Sequence, residues 1–444
     1  MLAAQGDITV LHQLLERFSD SRRRSDAVFD VVRPHSLYER PIPERHRIIF
    51  YLGHLEAFDW NLLHESVFDL NSFDPEFDRL FAFGIDPVGG GLPSDQPSDW
   101  PSVEAVRGYV ERVRTALDEK LADESLDSLA STSNSFPLET LLNVAIEHRL
   151  MHVETLAYML HQLPLERKIP YSTPPCLNAG PVIPQMIEIP AGVVRIGLSR
   201  GDQSFGWDNE YDSHTVAVPA FEIDKFQVTN RQYLDFMNAG GYETRAFWSD
   251  DDWNWKTDRA ISHPVFWRKS GNAWLWRRMS DEIALPLEWP VYVSHAEATA
   301  YARWAGKQLP TEEEWQRAAH GSRDGTERGY PWGQQTPESR LGNFDFYSWD
   351  PAPVNAFPLG SSAFGVEGML GNGWEWTSSV FGPFDGFSPF PFYRGYSADF
   401  FDGKHFVMKG GSARTASCML RPTFRNWFQA HYQSVYSGIR CVRH

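Results

Sequence analysis

From Asp7 to about Pro164 apolar side chains recur at helical intervals, and beyond that point they do not. The clearest run is Val103, Val106, Val110, Val113, Leu117 and Leu121, stepping by three and four, with Glu104, Arg107, Arg112 and Asp118 on the other faces. Such a stripe is buried in common only on a helix packed against further helices. Expected helices cover roughly 7–31, around Leu11, Leu14, Leu15 and Phe18, and roughly 44–66. A fourth begins near Ser135-Phe136-Pro137, where a proline in the first turn forfeits no hydrogen bond. The expected unit is a four-helix bundle over residues 1–166 with a long crossover, LFAFGIDPVGGGLPSDQPSDWPS at 80–102, whose Gly, Pro and Asp density breaks regular structure.

A proline-rich linker, 167–183, separates this half from residues 184–444, where short β-type runs, glycine turns and scattered tryptophans prevail. Helices are expected there only near 229–238 and 294–305, and no repeat of 20–50 residues suggests a propeller or solenoid, so one irregular α+β domain is expected. With 41 Lys and Arg against 58 Asp and Glu, the net charge of −17 argues against nucleic acid or an anionic membrane as partner. Three cysteines, Cys176, Cys418 and Cys441, are too few for a disulfide framework and suit a reducing compartment. The first residues lack the pattern of a secretory signal, and no long apolar run spans a bilayer, so a cytoplasmic location is expected. Gly89-Gly90-Gly91 is followed by Leu-Pro rather than Lys-Ser/Thr, so no nucleotide loop is expected.

In LETLLNVAIEHRLMHVETLAYML, His148 and His152 stand four apart and share a face with Leu141, Val144, Ala145, Thr155 and Met159. His54 lies on the apolar face of the second helix, near Phe50, Tyr51, Ala57 and Phe58. Three inward imidazoles from two helices can together bind one metal with open positions, which suits zinc with a water or Fe(II) that also takes substrate and oxygen. The plain alternative is three core histidines satisfied by carboxylates or backbone. Glu154, off the histidine face, reads as a surface or interhelix carboxylate.

The string His-x-x-x-His-x-Glu at 148–154, with His54 after Gly53, resembles the DinB-like bundle of the ergothioneine-biosynthesis sulfoxide synthases. The second half resembles the formylglycine-generating, C-type-lectin-like domain of that same family. The segments that carry this likeness are EIPAGVVRIG (188–197), FEIDKFQVTNRQYLDFM (221–237), WPVYVSHAEATAYARWAGKQLPTEEEWQRAA (289–319), GNGWEWTSS (371–379), GGS (410–412) and GIRCVRH (438–444). Trp315, Trp374 and Trp376 read as core. The copper-binding cysteine pair of formylglycine-generating enzymes is replaced by Thr415 and Leu420, with Cys418 out of register and read as a buried small side chain, so that activity is not expected.

The resemblance implies Fe(II) on His54, His148 and His152, with O2 as co-substrate. It implies as substrates hercynine, which is trimethylated histidine, and a thiol, whose sulfur is oxidised and attached to imidazole C2. It implies Asn426 and Trp427 as the receptor of the trimethylammonium group, Tyr393 as the proton donor to reduced oxygen, and Tyr396 as a residue that positions hercynine. The chain departs from members that use γ-glutamylcysteine, which carry an Asp directly after Asn-Trp and an Arg four residues later; here Phe428 and Tyr432 stand there. Another subgroup's Tyr-Tyr pair is replaced by Phe81-Ala82-Phe83, and Met151 replaces a glutamine used toward hercynine. Arg394, Arg414 and Arg425 remain as carboxylate receptors. The donor is thus cysteine, γ-glutamylcysteine or a different sulfur or selenium compound. Two other readings stand beside this one: a zinc-dependent DinB-like thiol transferase, and a non-enzymatic lectin-like binding module.

Overall fold

Helix α5 (Leu138–Gln162) is the axis of the first half, buried on nearly every face from Leu138 to His161. The computed structural model describes residues 2–82, 92–122, 137–171, 177, 179–202 and 204–444. Before α5 come α1 (Leu2–Phe29), α2 (Ile48–Leu63), the short α3 (Pro75–Leu80) and α4 (Val103–Leu121). Helix α1 packs along α5, and α2 lies against both α4 and α5, which gives the expected bundle of four long helices. Phe83, Gly89–Gly91, Ser135, Phe136 and Cys176 lie outside the described residues.

Local chemistry sets these elements. Ser102 caps α4 by accepting from the amide of Ala105 at 3.2 Å, and α4 then buries Val106, Tyr109, Val113, Leu117 and Leu121. Tyr109 thus takes the inward place expected of Val110, because its hydroxyl donates to Asp78 Oδ1 at 2.7 Å. Asp78, on α3, also accepts from Trp60 Nε1 at 3.2 Å, so one buried carboxylate ties α3 to both α2 and α4. The expected ends move too: α1 stops at Phe29 rather than 31, and α2 covers 48–63 rather than 44–66.

The second half carries β1 (Met186–Ile189), β2 (Gly192–Ile196), β3 (His214–Val218), β4 (Phe221–Asp224), α6 (Asn230–Asn238), α7 (Asp250–Asp258), β5 (Trp267–Ser270), β6 (Ala273–Arg277) and β7 (Glu282–Ala284). There follow α8 (His295–Trp304), α9 (Glu312–His320), β8 (Trp374–Val380), β9 (His405–Lys409), β10 (Asn426–Gln429), β11 (Ser437–Gly438) and β12 (Val442–Arg443). The strands form small sheets ordered β1-β4-β12, β10-β9-β8-β11, β2-β3 and β5-β6-β7. Two helices exceed the sequence expectation. Helix α7 is capped by Ser249, and α9 by Thr311 and Glu314 in a reciprocal capping box.

Trp315, Trp374 and Trp376 are core residues, each at most 2% exposed. Glu375 sits between them, accepting from Trp315 Nε1 at 2.7 Å and pairing with the fully buried Arg440 at 2.7 Å. In the Gly-Gly-Ser turn, Gly410 has φ +103° and a Cβ there would meet the Met369 carbonyl at 2.9 Å, which is why glycine stands there.

The chain divides into two compact units, Met1–Ser172 and Thr173–His444. The described ends of the expected linker, 167–183, are each hydrogen-bonded to one unit. At one end the amide of Ile169 bonds the Val31 carbonyl at 2.8 Å, holding 167–169 to the first unit. At the other, the Val182 amide bonds Glu288 at 3.0 Å within the second. No helix among the described residues is long and apolar enough to cross a membrane.

Candidate metal centre

Helical spacing puts His148 and His152 one above the other on α5, and α2 brings His54 against them. The Nε2 atoms of His54 and His152 are 3.2 Å apart, and those of His152 and His148 are 3.1 Å apart. Two nitrogens each about 2.1 Å from one ion stand about 3.0 Å apart at a right angle and about 3.4 Å apart at the tetrahedral angle. These two separations fall inside that interval, and all three donors lie within 4.8 Å of one another, so the cluster is compatible with a metal ion. All three side chains are at most 2% exposed.

Protonation favours the same reading. His54 Nδ1 lies 2.7 Å from the Phe81 carbonyl, which only accepts, so the proton sits on Nδ1 and Nε2 presents a lone pair. Burial pushes His54 down to about 4, against a smaller upward pull from that carbonyl. Burial, and then the neighbouring imidazoles, drive His148 well below its ordinary value, and His152 is lowered likewise. Neutral imidazoles are the form that binds metal. Rings enclose them: Phe58 stacks on His148 with 3.4 Å between centroids, and Phe50 on His54 with 4.8 Å.

Behind the histidines runs a charged network that sequence reasoning missed. Arg149, fully buried, donates to Glu56 Oε1 at 2.9 Å, Asp59 Oδ2 at 2.5 Å and the Leu55 carbonyl at 3.0 Å, locking α5 to α2. Burial opposes ionisation of both carboxyls. At Glu56 the Arg149, Arg22 and Arg114 guanidiniums outweigh it and hold the carboxyl low, whereas Asp59 stays raised. The signal was in the sequence, as charged residues inside otherwise apolar helical runs. Glu154 is buried at 7% exposure and is therefore no surface carboxylate.

The other candidate residues belong to the second unit. Tyr396 stacks on Trp207 with 3.9 Å between centroids, and Tyr393 stands 5.6 Å from Tyr396. Trp427, on β10, is half-buried and stacks on Phe381 at 4.1 Å, with the Tyr396 ring edge-on at 5.4 Å. The Asn426 side-chain oxygen accepts from the Trp427 amide at 2.9 Å. Burial, and then the Asp208 carboxylate, push the Tyr393 phenol above its ordinary value, so it stays protonated at neutral pH. Asp208 itself accepts from Ser397 Oγ at 2.7 Å and is raised by burial. Neither Trp207 nor Asp208 was singled out from sequence.

Of the arginines expected to receive a carboxylate, Arg425 is buried and paired with Glu312 at 3.0 Å, and Arg414 lies over Trp349 at 3.8 Å; Arg394 is exposed. Phe428 and Tyr432 stack on each other at 5.0 Å. Thr415 and Leu420 are buried, and Cys418 is half-buried rather than buried.

Residues 176–444 match the Sulfatase-modifying factor enzyme 1-like domain, and residues 17–156 the DinB superfamily. A hercynine oxygenase of Mycolicibacterium smegmatis is 35% identical, over 82% of this chain and 83% of its own length. The hercynine oxygenase of Mycolicibacterium thermoresistibile is 37% identical over 71% of each. The chain belongs to the hercynine oxygenase family. Ergothioneine biosynthesis protein 1 of Neurospora crassa is 29% identical over 92% of this chain, which spans 55% of the fungal protein. The hercynine oxygenase family therefore accounts for both halves of the resemblance read from the sequence: a DinB helical domain first, a C-type-lectin-like domain second.

Proposed function

We propose that the three histidines hold Fe(II) and that the protein uses O2 to join the sulfur of a thiol to the imidazole C2 of hercynine as a sulfoxide, a step of ergothioneine biosynthesis. The observation that carries this reading is the convergence of three buried histidine Nε2 atoms from two helices. Family membership supplies the substrate class. Iron bound there supplies the electron transfers with O2 that the substrates do not undergo unaided. In the balance, one oxygen atom ends on sulfur; the other leaves as water with the hydrogens lost from the thiol and from C2.

The chain's own share is to orient the reactants and move a proton. Tyr393, held protonated, is assigned as the donor to reduced oxygen. Trp427 and Tyr396 offer aromatic rings and Asn426 an amide oxygen to the trimethylammonium group, a cation with no N–H to donate. Phe428 and Tyr432 offer no charged contact to an amino-acid thiol, so other sulfur or selenium donors belong in the test beside cysteine and γ-glutamylcysteine. A carboxylate-free histidine triad also suits zinc, which would make the protein a thiol transferase.

The deciding experiment is oxygen uptake by protein loaded anaerobically with Fe(II), given hercynine and each donor, with every component omitted in turn. Uptake that needs iron, hercynine and one donor, and is lost in His54→Ala, is the expected result. Metal-loaded protein that binds zinc in preference and consumes no oxygen with any donor would overturn it.

A further inference from the structure

Gly53 immediately precedes His54, and its place is filled by another residue's ring. A Cβ at position 53 would lie 2.6 Å from two atoms of the Phe81 ring, closer than carbon atoms approach without displacement. That ring has nowhere to swing. Phe81 is fully buried, stacked near Trp100 at 6.2 Å, edge-on to Phe77 at 5.6 Å and beside Tyr109 at 6.1 Å. The same residue offers its main-chain carbonyl to His54 Nδ1 at 2.7 Å. Its own amide bonds Phe77 at 3.0 Å, at the end of α3, which Asp78 ties to α2 and α4.

We propose that Phe81 is a positioning residue of the metal centre: its ring, seated on the bare backbone of Gly53, sets the carbonyl that fixes the tautomer and aim of His54, so that docking of this segment and metal binding are linked. This rests on the three histidines being metal ligands, and not on which metal or reaction they serve. The carbonyl holds the ring proton on Nδ1, which leaves Nε2 as a lone-pair donor, and it adds electron density to the imidazole. Linkage is reciprocal: whatever seats Phe81 favours the metal, and the metal favours seating Phe81. A side chain at 53 displaces the ring and carries the carbonyl with it. A smaller side chain at 81 relieves that conflict.

The test is titration of metal-free protein with Co(II), read by its visible ligand-field absorption, for the wild type, Gly53→Ala, Phe81→Ala, the double variant and His54→Ala. Losing the partner of a ligating imidazole weakens metal affinity by roughly 10–100-fold, and Gly53→Ala is expected to fall in that range with an altered spectrum. In the Phe81→Ala background the same substitution should cost far less. Wild-type affinity and spectrum in Gly53→Ala, or equal losses in both backgrounds, would overturn the proposal. Hydrogen exchange on the wild type covers the case of a variant that does not fold: the amides of Phe81 and Ala82 must slow when Co(II) binds, and unchanged rates refute the linkage. If His54→Ala binds Co(II) as tightly as the wild type, the triad reading itself fails, a result separable from the others.

Discussion

The two units hold their candidate functional side chains by opposite means. In the bundle, His54, His148 and His152 are at most 2% exposed, enclosed by rings and backed by a buried ionic network. In the second unit, Asn426 and Trp427 are half-buried on β10, an edge strand, and Tyr393 and Tyr396 lie between β8 and β9 in a segment with no regular strand or helix longer than a turn. The difference matches the roles proposed for each group. A ligand set for one ion works best when its geometry is fixed and its nitrogens stay neutral, and both are obtained by burial. The side chains proposed to meet substrate sit instead on a loop and a sheet edge, where Asn426, Trp427 and Tyr393 keep partial exposure although Tyr396 is buried.

The sharpest way to break this comparison is Tyr393→Phe. Removing a general acid lowers rate by roughly 10²–10⁴-fold; sulfoxide formation should fall by that factor while metal content, measured after dialysis, is unchanged. A loss of metal in this variant would show that the units do not divide the work as described. Next in size is Arg149→Met, which strips Glu56 and Asp59 of a shared partner. Breaking a buried ionic network from one side costs about 3–5 kcal/mol. Urea unfolding should show the first unit's transition displaced and the second unit's retained; a single transition shifted as a whole would refute the separation.

The third effect is confined to acid and vanishes at neutral pH. His320, in the second unit, is buried with Nδ1 at 3.1 Å from the Arg328 carbonyl, and burial lowers it to about 3. Its folded value lies below its unfolded one, so the unfolded chain binds the extra proton. The stability it contributes is therefore intact above about pH 6.5 and is lost as pH falls toward 3. His320→Gln should flatten the second unit's stability between those limits by up to about 1.4 kcal/mol per pH unit, measured by denaturation at several pH values. An unchanged slope would mean that His320 is already protonated in the folded state.

How much of this was legible beforehand depended on the range of the interaction. The His148–His152 pair was readable because a helix turns a spacing of four into a shared face, and the bundle followed from the same periodicity. Helix α7 was not, since its tryptophans and aspartates make no apolar stripe; half-buried or exposed throughout, it is announced only by Ser249 at its start. Helix α9 had a readable start in Thr-Glu-Glu-Glu, hidden among short β-type runs. The contacts that aim His54 were out of reach altogether. A main-chain carbonyl 27 residues away carries no trace in side-chain chemistry, and the one local sign was a glycine whose bareness acquires meaning only when Phe81 is seen to fill it.

The last strand gives the molecule an order of assembly. Val442 pairs with Ile223, and Arg440 reaches the carbonyls of Asp224 and Lys225 as well as Glu375, so the sheet begun by β1 and β4 is finished by residues about half the chain later. On a ribosome releasing roughly 5–20 residues per second, the helical unit can fold while the second is still being made, whereas the second must wait for its final residues. Until then Ile223 and Glu375 lack their partners, and the exposed edge of β4 is the surface that a folding helper, or an aggregating neighbour, would meet first.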